Sequence, residues 1–186
     1  MKKFLTIFFI VMTANISLAS AEMLRISEGG VNELVRSIAA IVYDEQFQKE
    51  KPLLLTNFSK FENGEFPEIG KEIFAGQFGL KTSNAAEGEI TFFVDNEEKV
   101  SAMKIVGYNN SAAEDAGVLL LVALQVLGLT QADAEFLLTN LNDDETLASS
   151  IVWSEEKQRC FVLMAGARPQ AAEGFQFVLV ASDKKE

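Results

Sequence analysis

Between Val31 and Val42, apolar residues recur at spacings of three and four: Val31, Leu34, Val35, Ile38, Ile41 and Val42. That period places them on one side of a helix, and the pattern predicts a first helix over Ser27 to Gln48. Ser27 stands where an N-cap would, with Glu28 favourably placed at the positive helix end. Lys51-Pro52 ends the element.

Alternation of period two replaces this pattern from Gly88 onward. Ile90 to Val94 and Val100 to Val106 flank the polar stretch Asp95-Asn96-Glu97-Glu98, which reads as a hairpin, and Ile73 to Lys81 reads as a preceding strand. Three later runs have the same character: Ala148 to Ser154, Arg159 to Ala165 and Phe175 to Ala181. Ser154 to Lys157 forms a turn between the first two, and Arg168-Pro169 breaks the chain before the third. Cys160, Val162 and Met164 share one face of their strand, Phe161 and Leu163 the other, so the sheet is expected to be covered, at least in part, on both sides.

A helical hairpin separates the two groups of strands. Ser111 and Glu114 have the spacing of a capping box, Gly128 suits a left-handed helix end, and Thr130 caps the next helix three residues before Asp133. Ala134, Leu137, Leu138 and Leu141 line one side of that helix. From Val118 to Leu127 only Gln125 is polar among large side chains. Each large aliphatic residue is worth roughly 1.5–3 kcal/mol on burial, so this helix belongs at the centre.

Helix, strands, two helices and strands in that order predict an α+β fold: a mainly antiparallel sheet of five to seven strands, packed by the N-terminal helix and the central hairpin. Leu53 to Gly79 is the least regular stretch. Leu53-Leu54-Leu55 reads as a short strand, whereas Asn63-Gly64 and Pro67 signal turns.

The N-terminus changes the domain count. Met1-Lys2-Lys3 precedes the apolar run Phe4 to Met12, and Ala19 and Ala21 supply the small residues of a cleavage site before Glu22. A membrane span needs roughly 20 apolar residues, about twice this run. Residues 1–21 therefore read as a cleavable export signal and 22–186 as a single globular domain, periplasmic or extracellular, with no stable membrane anchor. A domain of that size holds a core without disulfides. Cys160 is the only cysteine, so no internal bridge is possible.

Charge narrows the partners. The full chain carries a formal net charge of −11; without Lys2 and Lys3 the mature domain is more acidic still. Such a field repels phosphate backbones, which excludes nucleic acid as a partner. The chain has no histidine. Serine–histidine and cysteine–histidine catalysis, histidine-bound zinc and histidine pH switching all fall with it.

The remaining candidates are few. Cys160 lies beside Val162 and Met164, a setting for a core residue rather than a thiolate nucleophile. Asn142-Asp143-Asp144-Glu145 lacks calcium-loop spacing and reads as a solvated loop, as does Asp95 to Glu98. Ala85 to Gly88 and Ala171 to Gly174 repeat the tetrad Ala-Ala-Glu-Gly, a match unsurprising in this composition. No spacing selects a catalytic carboxylate pair, and no metal site or cofactor is expected. Phe58, Phe61, Phe66, Phe74 and Phe78, gathered in the least regular segment, are the binding residues the sequence offers; they either line an apolar pocket or docking patch, or pin a loop to the core. The expected function is a non-enzymatic exported binding or interaction domain for a protein or apolar small ligand. A carboxylate-dependent hydrolase of envelope glycans or peptides and a homodimeric assembly protein are the alternatives.

Overall fold

A computed structural model of the chain describes residues 23–56, 61–66, 70–80, 86–140, 142–144, 147–167 and 174–183. Residues 1–21, read above as an export signal, together with Phe58, Pro67 and the second Ala-Ala-Glu repeat, lie outside these residues. The β-rich runs form strands as their alternation requires: β1 (Met23–Leu24), β2 (Leu53–Thr56), β3 (Phe61–Phe66), β4 (Gly70–Leu80), β5 (Gly88–Val94), β6 (Val100–Gly107), β7 (Asn142–Asp144), β8 (Leu147–Ser154), β9 (Arg159–Ala167) and β10 (Phe175–Ser182). Among the described residues four α-helices accompany them: α1 (Val31–Val42), α2 (Glu45–Glu50), α3 (Ala113–Val126) and α4 (Gln131–Thr139).

The fold is α+β, with one antiparallel sheet in the order β2-β4-β5-β6-β10-β9-β8-β7; β3 pairs beside β2 on β4, and β1 pairs with β10. The strands of seven residues or more are β4, β5, β6, β8, β9 and β10, and shorter segments extend the edges. Two meanders build it. The chain walks from β4 to β6, crosses through α3 and α4 to the far edge, and walks back from β7. The meanders join where β10 pairs with β6, from Phe175 opposite Gly107 to Val180 opposite Ala102.

The helices cover one face. Leu119, Leu120 and Leu124 of α3 are fully buried against Phe92, Met103 and Ile105 of the sheet, with Phe161, Leu163 and Leu179 in the same core. Helix α3 is central, as its composition demands, and only Leu121 among its large apolar side chains is exposed. Gly128 takes φ +80° and ends the hairpin's first helix; Thr130 Oγ1 accepts from Asp133 N at 3.1 Å and starts the second.

On the other face Phe93, Ala102, Val162, Met164, Val178 and Val180 form a smaller buried cluster, composed among the described residues of strand side chains alone. Lys104 and Glu72 pair on this face, and the Lys104 ammonium lies 5.6 Å from the Phe93 ring centroid.

Several local expectations are corrected. The first helix is two helices, because Asp44 interrupts it: its carboxylate accepts from Gln46 N and Phe47 N and caps α2 afresh. Ser27 does not cap α1. Gly30 holds that position, while Ser27 Oγ accepts from Gly29 N at 3.0 Å. The capping box at Ser111 is absent too, since Asn109 caps a 3-10 turn over Asn110–Ala112 and Glu114 pairs instead with Lys51. Within Leu53 to Gly79, the least regular stretch by sequence, Leu53-Leu54-Leu55 forms β2 and Ile73 lies in β4 as expected, while Phe61–Phe66 adds β3. Asn63-Gly64 lies within β3, where the register shifts between Glu62 and Gly64, so the turn signal is spent on a bulge. Asn142 to Asp144, read as a loop, pair with β8 as an edge strand.

Candidate functional site

Where α1 begins, its first turn stands beside the β5–β6 turn and the start of β4. Asp95 organises that turn through its own backbone neighbours: its Oδ1 accepts from Glu97 N at 2.8 Å and Lys99 N at 3.0 Å. A short carboxylate suits this role because it reaches amides two and four residues on. Glu98 is carried into the left-handed region at φ 59°.

The chain N-terminal to α1 clasps the turn from outside. Arg25 Nε donates to Asp95 Oδ2 at 2.5 Å, its Nη2 lies 2.8 Å from Glu97 Oε2, and its Nη1 lies 3.3 Å from Glu28 Oε2. Arg159 of β9 reaches Glu28 at 3.6 Å and donates to the Arg25 carbonyl. Glu97, then Asp95, push the Arg25 guanidinium further toward its charged form. Burial alone would raise the Asp95 carboxyl, but the Lys99 amide, Arg25 and the Glu97 amide outweigh it and hold Asp95 below the usual range.

These elements enclose a cleft of about 410 Å³. Its floor is apolar and belongs to the main core: Val31 of α1, Ile73 of β4 and Val94 of β5 are each buried. Its rim is polar, with Asn32 on α1, Lys71 on β4, and Asp95, Asn96 and Glu98 on the turn. Across the mouth, a Cβ on Gly30 would lie 3.6 Å from the Glu98 carbonyl, an ordinary contact.

The described ones of the sequence-derived binding residues stand on β3 and β4. Phe78 is fully buried in the main core, on β4 opposite Gly88. Phe61 and Phe66 stand on β3 and Phe74 on β4, with Phe61 opposite Phe74 in the register; Phe58 lies outside the described residues. The Phe78 side chain lies in the core and not in the cleft, whereas Ile73, from the same segment, lines it. Cys160 is buried on β9, opposite Trp153 on one side and Ser182 on the other. Among the described residues no group of three or more Cys, Asp or Glu is arranged to hold a metal ion, and no helix is long and apolar enough to cross a membrane.

One further pair of acids stands away from the cleft. Glu87 stands just before β5 and Asp115 in the first turn of α3; burial, then the influence of Asp115 as a neighbouring acid, push the Glu87 carboxyl up. Sequence reading did not separate these two acids from the other 25, because they lie 28 positions apart. The cleft had a weak signal, the glycine pair ahead of α1 and the Asp-led turn, but nothing local brings them together.

No known protein family, curated protein or solved structure matches the chain.

Proposed function

We propose that the chain is an exported, non-enzymatic binding protein whose ligand seat is the cleft between α1 and the β5–β6 turn. The cleft itself carries this reading. Its volume of about 410 Å³ falls within the roughly 300–1,000 Å³ of small-molecule sites. Its walls are held before any ligand arrives, by core residues beneath and by the Arg25 clasp behind, which lowers the ordering cost of binding. An apolar floor ringed by Lys71, Asn32, Asn96 and carboxylates suits a small amphipathic molecule, its hydrocarbon part on Val31, Ile73 and Val94.

A hydrolase reading finds less support. It asks for two acids across a cleft, one kept protonated by apolar surroundings. In this cleft Asp95 is drawn toward its ionised form by Arg25 and the turn amides, and the acid whose proton is held more tightly, Glu87, does not line it.

The decisive measurement is ligand-observed NMR of the mature domain against a set of small amphipathic metabolites, repeated with Asn32→Trp. Asn32 is exposed at the rim, so the larger side chain closes the mouth with little cost to the core. Saturation transfer to a subset of compounds, lost in N32W, is the expected result. Absence of any transfer, or transfer unchanged by N32W, would remove this site. N-terminal sequencing of the native protein should begin at Glu22, and a chain retaining Met1 would remove the export reading.

A further inference from the structure

The charges around the cleft are not equally available to a ligand. Asp95 pairs with Arg25 at 2.5 Å, and turn amides occupy its other oxygen. Lys71, near the start of β4, is engaged as well, and stands opposite Glu65 in the register of β3. Glu33 lies in the first turn of α1, where an acid answers the roughly half positive charge of a helix start. Lys99, the next cation along the turn, is not among the lining residues.

Glu98 differs from all of these. It lines the cleft and is exposed, and among the described residues its carboxylate has no hydrogen-bond or ion-pair partner. The turn holds it in place, because its N donates to the Asp95 carbonyl at 3.0 Å and its φ is 59°. Glycine or asparagine takes that left-handed conformation at lower cost, so the turn by itself does not ask for an acid here.

We propose that the head group taken by this cleft is a cation, a primary ammonium carried on a short hydrocarbon chain. This rests on the cleft being the ligand seat. An ammonium brings three N–H donors and no acceptor. Glu98 supplies the opposite charge, and the side-chain carbonyls of Asn32 and Asn96 supply neutral acceptors on the same rim. The hydrocarbon part lies on Val31, Ile73 and Val94. The chain's net charge of −11 draws cations and repels anions before contact is made. An anionic amphiphile would meet an unpaired carboxylate at the mouth, and like charges set together oppose binding.

Three probes of one shape separate the outcomes: n-pentylamine, n-pentanol and n-pentanoate, titrated into the mature domain at low salt. Each is read as the saturation transfer that N32W abolishes. Pentylamine should bind best, pentanol less well and pentanoate least. Glu98→Gln keeps the shape of an exposed side chain and removes its charge. It should weaken pentylamine about two- to five-fold, as the loss of one exposed ion pair does, and leave pentanol unchanged. Added salt should shrink the advantage of pentylamine over pentanol. Pentanoate bound as well as pentylamine, or pentylamine binding unchanged in E98Q, would overturn the cationic head group and leave the cleft standing. Binding of none of the three would remove the ligand seat and this inference with it.

Discussion

Asp95 and Glu87 bracket the seven residues of β5, and the fold sets their proton affinities in opposite directions. At the far end of the strand, Asp95 has Arg25 and two turn amides as partners, all of which favour the carboxylate. At the near end, burial and then a second acid, Asp115, favour the carboxylic acid of Glu87. Both are partly buried and both cap the same strand. The difference is therefore one of neighbours: a cation from the N-terminal segment in one case, an acid from α3 in the other. One end works as a fixed structural clasp; the other is sensitive to a proton.

The comparison breaks most severely from the middle. Phe92, 1% exposed at the centre of β5, keeps both ends in register, and Phe92→Ala should cost about 3–5 kcal/mol by denaturant unfolding, a large share of a typical 5–15 kcal/mol total. A loss under about 1 kcal/mol would mean that the strand is not the rigid spacer described here.

Removing the clasp is the next largest effect. Asp95→Ala leaves two turn amides without their acceptor and Arg25 with only Glu97 and Glu28, and should cost about 1–3 kcal/mol. Asp95→Asn, which keeps an acceptor oxygen, should cost less. Equal stability of D95A and wild type would show that the turn needs no clasp.

Titration then separates the two ends by sign. The folded-state pKa of Asp95 is depressed, so its contribution is present above the unfolded value of about 3.9 and disappears as pH falls through the lower folded value. Thermal melts of D95N and wild type should converge on that acid limb. The folded-state pKa of Glu87 is raised, so its contribution is complete below about 4.3 and lost as pH rises through the higher folded value. Melts that converge for D95N at high pH rather than low pH would reverse the assignment.

The smallest effect belongs to Lys51–Glu114, where the side chains are 37% and 75% exposed. Lys51→Met should leave the melting temperature unchanged within error at moderate salt, because solvent screens such a pair. A clear loss would show that the pair is better shielded than its exposure implies.

The periodic elements were legible because their signals are local. Val31 to Val42, the strands around Asp95 to Glu98, Gly128 and Thr130 each declare themselves within one or two turns of chain, and all took the form their pattern implied. The errors arose where a local signal had two outlets. Asp44 could lie within a helix or cap a new one, and its bonds to Gln46 and Phe47 chose the second. Asn63-Gly64 could make a turn or a bulge, and pairing with β4 chose the bulge. The cleft could not be read in advance, since it joins residues from three separate stretches.

What the residues determined unaided is the class: helical and alternating periods, their order along the chain, the buried character of α3, and the removal of all histidine chemistry. These follow from spacing and composition, which act over a few residues. The tertiary structure alone decided that β10 would close against β6, that Arg25 would find Asp95 across 70 positions, and that Glu87 would face Asp115. Such contacts depend on which of many chemically equivalent acids a packed core brings together, and close packing, not sequence neighbourhood, makes that choice.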